Sequence, residues 1–455
     1  MRAQTGRRLS VGELLQNFAG LDFYVDDYLC STRQLPYLSR RFRSFLSHLS
    51  GSAEEYSTAL LAHIGSGCLL QIPGYSSFLK TEHLSDLPFV TKSDLRNTPE
   101  RFTAPARRGE RRWLKMTTGT TGTPVRISYA EEFYFEILLL SVRKVAARAG
   151  MLNSIGIEPI LCFSLNDKKN AEGMVVAHPA DECGFTVQKH IDEGDKDSFR
   201  AAFELLEQLK PECIASKPSL LEQFCSFGVA HGMRISSPPT FVLTSGSVLR
   251  AGVRDIVTKF FAAPVLDVYT MTEFGVIASQ CQAGSLHIDT TSVHVEVVDE
   301  GDGLVAEGTT GELVISSIAN SAMPLLRYRT GDTGALTSAR CDCGALGPRI
   351  IKLAGKEISC FCLADGSLFS PTFFNDLFAR FPSLREFQMT QRTTCSFQLI
   401  AEFSADCDPE QKSKDVQNIG DYVRSSIPGL PKVDVESGLL PRSADFRRYR
   451  TVIEA

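Results

Sequence analysis

Between residue 130 and about residue 275 helical stretches alternate with short β-rich runs, and this alternation restricts the fold more than any other feature of the chain. EEFYFEILLLSVRKVAARAG (131–150) carries apolar residues at helical spacing, and IEPILCFS (157–164) reads as a buried strand. FELLEQLK (203–210) is a second helix, PTFVLTSG (239–246) a strand ending in a turn, and APVLDVYT (263–270) another strand. Strands separated by helices favour an α/β domain with helices laid over a sheet.

The texture changes on either side. Residues 10–100 read mainly as helices joined by short loops: LSRRFRSFLSHLS (38–50) and SAEEYSTALLAHIGSG (52–67) have helical periodicity, and SAEE reads as a capping box. From 285 to 355, SVHVEVVD, GELVISSI and GALTSA read as short strands with glycine turns, a β-rich subdomain at about 280–355. Residues 358–455 hold a helix near PTFFNDLFARF, a strand QLIAEFS and a helix around DVQNIGDYVRSSI. The boundary falls near LAGKEIS (353–359), giving a large region 1–355 and a small, mobile α+β domain 356–455.

Composition narrows the function classes. A chain of 455 residues with net charge -5 lacks the basic excess of a nucleic-acid surface. Arg442, Arg447, Arg448 and Arg450 are a local exception that reads as a solvated face. No apolar run approaches the ~20 residues of a membrane helix. The opening MRAQTGRRLSVGELLQ has no apolar core and is no secretory signal. Thirteen cysteines scattered without such a signal point to reduced thiols and a cytoplasmic location. Cys68, Cys162 and Cys225 lie among apolar residues and read as core.

Three stretches carry chemistry. Thr117–Pro124, TTGTTGTP, has two glycines and five threonines in eight residues. Its backbone amides can wrap a polyphosphate as an anion-binding nest. It lacks the Walker ending, and alone it reads equally well as a polar hairpin loop. RYRTGD, Arg327–Asp332, reads by itself as an arginine–aspartate surface pair between strands. YTMTEFG, Tyr269–Gly275, follows an apolar strand, where α/β domains usually bind ligands, and Glu273 offers oxygens to magnesium. Alone, that stretch is more often structural.

In this order and spacing, the three stretches together resemble the adenylate-forming superfamily of acyl-CoA synthetases, peptide-synthetase adenylation domains and luciferases. HLSDLPFVTKSDLR (His83–Arg96) and PLLRYRTGDTGAL resemble the phenylacetate–CoA ligase branch in wording, and the likeness covers nearly the whole chain. It implies ATP-dependent activation of a small carboxylic acid, aromatic by branch, as an acyl-adenylate. CoA or another small nucleophile such as an amine would be the acceptor, magnesium the cofactor, and a homodimer a common assembly.

Residue by residue, the resemblance implies that Thr117, Thr118, Gly119, Thr120, Thr121 and Gly122 close over the β- and γ-phosphates. Thr272 and Glu273 would touch the α-phosphate and magnesium, and Asp332 the ribose hydroxyls. Ser245, Gly246 and Ser247 fall where the family contacts adenine and the acid, with Tyr269 beside the adenine. Arg329 would support the site, and the acid pocket would lie near Phe163 and Ser245–Gly246. Gly355-Lys356-Glu357 matches the hinge about which the small domain rotates, with Lys356 where arginine is usual.

A second constellation is independent of these. Cys281 is followed by His287, and CDC supplies Cys341 and Cys343. Three thiols and an imidazole make a Cys3His set suited to structural zinc. The other reading is four unligated side chains in turns. A similar set in several phenylacetate–CoA ligase-like proteins implies zinc. Cys360 and Cys362 read as core, and His178 and His190 as surface or satisfied core residues.

The pattern breaks at the end. The family closes with Gly-Lys and a basic stretch, and that lysine contacts acid and phosphate. Here LPRSADFRRYRTVIEA (440–455) has no lysine. In one register Ala444-Asp445-Phe446-Arg447 fills the slot; aligned from the last residues, Arg447 or Arg448 takes it and becomes the catalytic cation. An aspartate would repel the phosphates, whereas arginine neutralises them with different geometry. Three outcomes stay open: an arginine substitutes, the chain has moved to a related condensation that releases AMP with an amine or other acceptor, or it only binds nucleotide.

Overall fold

The computed structural model describes residues 25–29, 40–41, 43–46, 69, 71–76, 83–106, 109–117, 125–151, 160–166, 173–178, 184–191, 195–247, 249, 251–345, 347–354, 361–363, 368–369, 377–381, 383–404, 407–427, 432–440 and 449–451. The chain forms two compact units: Met1–Lys115 with Arg126–Lys356, and Met116–Val125 with Glu357–Ala455. The expected capping box at 52–55, Cys68 and Cys360 lie outside the described residues.

In the first unit the chain runs from β1 (Val25–Leu29) through α1 (Lys92–Asn97) and the hairpin β2 (Arg112–Met116)–β3 (Arg126–Ala130) to α2 (Glu131–Arg148). Then come β4 (Ile160–Asn166), β5 (Gly173–His178) and β6 (Gly184–His190). Helix α3 (Lys196–Leu209) leads to β7 (Cys213–Ser216), α4 (Pro218–Ala230) to β8 (Phe241–Ser245), and α5 (Ala251–Phe261) to β9 (Val265–Met271). After them follow β10 (Gly275–Gln280), β11 (Leu286–Ile288), β12 (His294–Val298), β13 (Gly311–Ser317), β14 (Leu325–Thr337) and β15 (Arg349–Ala354).

Apart from the β2–β3 hairpin, these form one 13-stranded sheet in the order β1-β5-β6-β4-β7-β8-β9-β10-β11-β15-β14-β13-β12. From β6 to β9 neighbours run parallel. From β9 onward they are antiparallel. The β-rich stretch after 280 is therefore a wing of the same sheet, because β10 folds straight back onto β9 and pairing never stops. GALTSA is not a separate strand: Gly334–Thr337 are the tail of β14.

Strand alternation explains why both faces are covered. Leu161, Phe163, Ile214, Val242 and Val265 point to one face and pack with Phe203, Leu206, Phe224 and Val257 of α3, α4 and α5. Ile160, Cys162, Cys213, Phe241, Leu266 and Val268 point to the other and pack with Val145 and Ala146 of α2. Helix α2 opens on Glu131 and Glu132 and closes on Arg148, matching its macrodipole. Asp195 caps α3 by accepting from Asp197 N–H, and α4 starts on Pro218.

Helix α2 also carries a buried ionic cluster. Lys144 Nζ donates to Glu136 Oε1 at 2.9 Å, Asp289 Oδ2 at 2.8 Å and Ser292 Oγ at 3.0 Å. Arg41 adds a forked pair to Glu136, at 2.9 Å through both Nε and Nη2. Burial alone would raise the Glu136 pKa, but Lys144 and Arg41 outweigh it and hold the carboxyl at about 2.

The second unit contains the two-stranded pair β16 (Phe361–Cys362) and β17 (Leu368–Phe369), and a short helix α6 (Leu377–Arg380). Strands β18 (Leu384–Thr393) and β19 (Ser396–Phe403), helix α7 (Pro409–Ser426), β20 (Lys432–Ser437) and β21 (Tyr449–Thr451) follow. Four of these strands form a sheet in the order β20-β19-β18-β21. Phe387, Met389, Phe397 and Leu399 of the sheet pack with Ile419 and Val423 of α7. Helix α7 starts earlier than the sequence pattern suggested, because Asp408 caps the amides of Glu410 and Gln411 and Pro409 occupies the first turn. No helix among the described residues is long and apolar enough to cross a membrane.

Candidate active site

Strand β9 stops at Met271, and Thr272-Glu273-Phe274 turns the chain into β10. Gly275 is required there: its φ is +71°, and a Cβ would stand 3.0 Å from Ile137 Cγ1. Tyr129 of β3 donates its hydroxyl proton to the Thr272 carbonyl. Glu273 is buried, and its Oε1 accepts from the Tyr328 hydroxyl at 3.0 Å. One carboxylate and the preceding carbonyl are thus held by phenols from two different strands.

RYRTGD lies inside β14, not between strands. Arg327 sits at φ +48° and Gly331 at φ +75°, and the pairing with β13 shifts register between Glu312 and Val314 and again between Ile315 and Ser317. These irregularities bend RYRTGD locally within an otherwise continuous strand. Asp332 Oδ2 accepts from the Tyr269 hydroxyl at 2.8 Å, and its own N–H donates to Thr330 Oγ1 at 3.0 Å. Burial pushes the phenol pKa of both Tyr269 and Tyr328 well up, and the neighbouring Asp332 and Glu273 add to it, so both stay protonated donors.

The two arginines of the motif reach away from these carboxylates. Arg327 is buried, pairs with Glu296 at 3.3 Å, and donates to the carbonyls of Ser85 (2.8 Å) and Leu87 (3.0 Å). Arg329 pairs with Glu312 and Asp302, each at 2.7 Å. Both guanidiniums lie over the Phe89 ring, 4.1 and 5.0 Å from its centroid. Val90 bridges Tyr328, so HLSDLPFV is latched onto RYRTGD: two phrases that are distant in sequence form one structural unit.

Ser245 ends β8 and pairs with Val268 of β9. Gly246 follows at φ +86°, and Ser247 is exposed. Thr117 pairs with Val125, donating N–H to Val125 O at 2.9 Å and accepting from Val125 N–H on Oγ1 at 3.0 Å. Thr118, Gly119, Thr120, Thr121, Gly122, Lys356, Asp445, Arg447 and Arg448 lie outside the described residues. Phe163, expected near an acid pocket, is fully buried among core side chains on the α3–α5 face of the sheet. Cys162 and Cys225 are core, as read. His190 is half-buried at the end of β6, with no partner for Nδ1 among the described residues.

Cys281, His287, Cys341 and Cys343 converge, with their ligand atoms all within 4.8 Å of one another. Cys281 follows β10, His287 is on β11, and both other thiols lie in the β14–β15 turn. The Cys281–Cys341 sulfurs are 3.8 Å apart and Cys343 Sγ is 3.5 Å from His287 Nε2. A zinc tetrahedron with bonds of about 2.3 Å to sulfur and 2.0–2.1 Å to nitrogen has edges of about 3.8 and 3.5 Å, so the pairs match. Gly284 and Gly344, both at positive φ, turn their N–H groups back onto the Cys281 and Cys341 carbonyls, each at 2.9 Å. Burial, Arg148 and Arg349 lower the His287 pKa to about 4, which keeps the imidazole neutral and able to ligate.

Comparison with known proteins finds likeness over the same residues. A family model described as AMP-binding enzyme matches residues 184–323, which include the Ser245 turn and Thr272–Glu273. Phenylacetate-coenzyme A ligase of Thermus thermophilus is 28% identical over 300 residues, 61% of this chain and 62% of that protein. The enzyme of the same name from Aromatoleum evansii is 24% identical over 382 residues, 77% of this chain and 80% of that one. Over these residues the chain is similar to AMP-binding enzymes and to phenylacetate-coenzyme A ligases. The adenylate-forming fold extends over most of its length: a solved 2-hydroxyisobutyryl-CoA ligase, in complex with 2-HIB-AMP and CoA, matches 90% of this chain and 92% of its own at a TM-score of 0.61 and 16% identity.

Sequence reading missed Tyr129, Tyr328 and Phe89. Tyr328 and Phe89 stand inside RYRTGD and HLSDLPFV, but neither phrase names their partners, and Tyr129 stands in no motif. Their roles come from strand register, which sets the Tyr328 phenol against Glu273 and seats Phe89 under two arginines.

Proposed function

We propose that this chain activates a small carboxylic acid with ATP and passes the acyl group to CoA or another nucleophile. The observation that carries this reading is the pair of phenol bridges, Tyr328 to Glu273 and Tyr269 to Asp332, which tie the β9–β10 turn and β14 into one constellation. A carboxylate oxygen of the acid attacks the α-phosphorus, the bond to the β-phosphate breaks, and pyrophosphate leaves. The nucleophile then attacks the acyl carbon, and AMP leaves.

In this reading Asp332, held by Tyr269, accepts hydrogen bonds from the ribose hydroxyls. Ser245–Ser247 and Tyr269 border the adenine and the acid. Thr117–Gly122 supply amides and hydroxyls to the outer phosphates. Glu273 is a hard, buried oxygen donor suited to magnesium, which typically binds one or two carboxylates together with substrate phosphates. When bound, magnesium neutralises phosphate charge as pyrophosphate departs. Lys356 acts at the hinge between residues 1–355 and a small domain 356–455.

Cys281, His287, Cys341 and Cys343 hold structural zinc in this account, stapling the turns after β10 and β14. The Cys281–Cys341 and Cys343–His287 separations support this, and four protein ligands leave no open position for substrate.

ATP–pyrophosphate exchange, measured across aryl and alkyl acids, tests the reading. Exchange that depends on one acid class supports it; exchange with none, in protein that binds ATP, contradicts it. A second reading, nucleotide binding without catalysis, is favoured by one feature, the lysine-free end at Ala444–Arg448.

A further inference from the structure

We propose that Tyr328 is a positioning residue that makes Glu273 a one-oxygen ligand and so selects magnesium over calcium. The inference rests on the reading of Glu273 as the magnesium carboxylate. Glu273 Oε1 accepts from the Tyr328 phenol at 3.0 Å, whereas Oε2 has no hydrogen bond among the described residues. The phenol is fixed independently of Glu273. Tyr328 is 1% exposed, and its ring packs edge-on against Phe274 with centroids 5.7 Å apart. Its backbone is set by pairing with Ile315 and by the bridge to Val90. From the other side Tyr129 grips the Thr272 carbonyl, so the turn that carries Glu273 is held at both ends.

One oxygen committed to a phenol leaves one for a cation. Magnesium demands near-ideal octahedral geometry and takes single oxygens, while calcium accepts bidentate carboxylates and higher coordination. A carboxylate released from its phenol regains rotamer freedom and both oxygens, which favours the larger, more flexible ion. Groups that orient a metal ligand commonly matter by 10–100-fold in metal affinity.

Calorimetric ATP affinity, measured with Mg2+, with Ca2+ and with EDTA, tests the proposal on the parent and on Tyr328→Phe. The parent is expected to bind ATP more tightly with Mg2+ than with Ca2+. In Tyr328→Phe the enhancement by Mg2+ should shrink about tenfold, the Mg2+/Ca2+ preference should fall, and metal-free affinity should stay within twofold. In a Glu273→Gln background, Tyr328→Phe should add nothing. Should Tyr328→Phe not fold, Phe274→Leu, which loosens the ring without removing a hydrogen-bonding group, should shrink the Mg2+ enhancement in the same sense. An unchanged Mg2+ enhancement in Tyr328→Phe, alongside a reduced one in Glu273→Gln, overturns the role of Tyr328 and leaves Glu273 in place. No effect of Glu273→Gln overturns the magnesium reading itself and this inference with it.

Discussion

Tyr269 and Asp332 lie 63 residues apart and are joined by a 2.8 Å hydrogen bond from the phenol to Oδ2. That contact pins one carboxylate oxygen and orients the other functional half of the group. Asp332→Ala should weaken ATP binding about 10–100-fold, the usual worth of a hydrogen bond to a charged group. Tyr269→Phe, which only frees the carboxylate, should cost severalfold. Calorimetric titration with ATP reads both. Asp332→Ala protein that binds ATP like the parent removes the ribose contact from the account.

The Cys281, His287, Cys341 and Cys343 cluster should retain one zinc per chain on purification, read by elemental analysis. Cys341→Ser should lose the metal and lower the melting temperature by several degrees, with ATP affinity of the folded protein unchanged. Purified parent without zinc, or Cys341→Ser protein that keeps both metal and stability, contradicts the assignment.

The Glu136–Lys144–Arg41 cluster makes a claim about acid. The folded Glu136 pKa of about 2 lies below its unfolded value of 4.5. Its contribution to stability is therefore present above pH 4.5 and is lost as pH falls toward 2. The shift corresponds to roughly 3 kcal/mol. Chemical denaturation of the parent should weaken across that window, and Glu136→Gln should be less stable at pH 7 but flatter below 4.5. A variant with the same pH slope as the parent removes Glu136 from the acid response.

Much of this was legible in the chain. Alternating runs from 130 to 275 announced an α/β domain with helices over a sheet; that the sheet is covered on both faces came from the fold, in which strands such as β4 send odd and even residues into different cores. The Cys281–His287 and Cys341–Cys343 pairs could be picked out because each is close in sequence, and the fold brings the two pairs together. RYRTGD was placed wrongly, between strands, because its bulges come from pairing with β13 across Glu312–Ser317, which no local pattern records. The phenols of Tyr129 and Tyr328 were invisible for the same reason: each acts across more than 50 residues, on a partner that only the fold supplies.

The lysine-free end predicts slow activation. Losing one preorganised electrostatic contact costs about 10²–10³ in rate, so pyrophosphate exchange should be slow and transfer from a preformed acyl-adenylate less affected. Asp445→Lys should raise the exchange rate. A normal parent rate that falls with Arg447→Ala or Arg448→Ala instead assigns the cation to that arginine and rejects the Asp445 register.

AMP released from ATP, with and without added acid and acceptor, tests the central claim most directly. The account predicts AMP that appears only with a carboxylic acid, rises when CoA or an amine is added, and falls steeply in Glu273→Ala. If no acid and no acceptor lifts AMP above the Glu273→Ala background, while ATP still binds, the chain is a nucleotide-binding protein and the proposed catalysis is wrong.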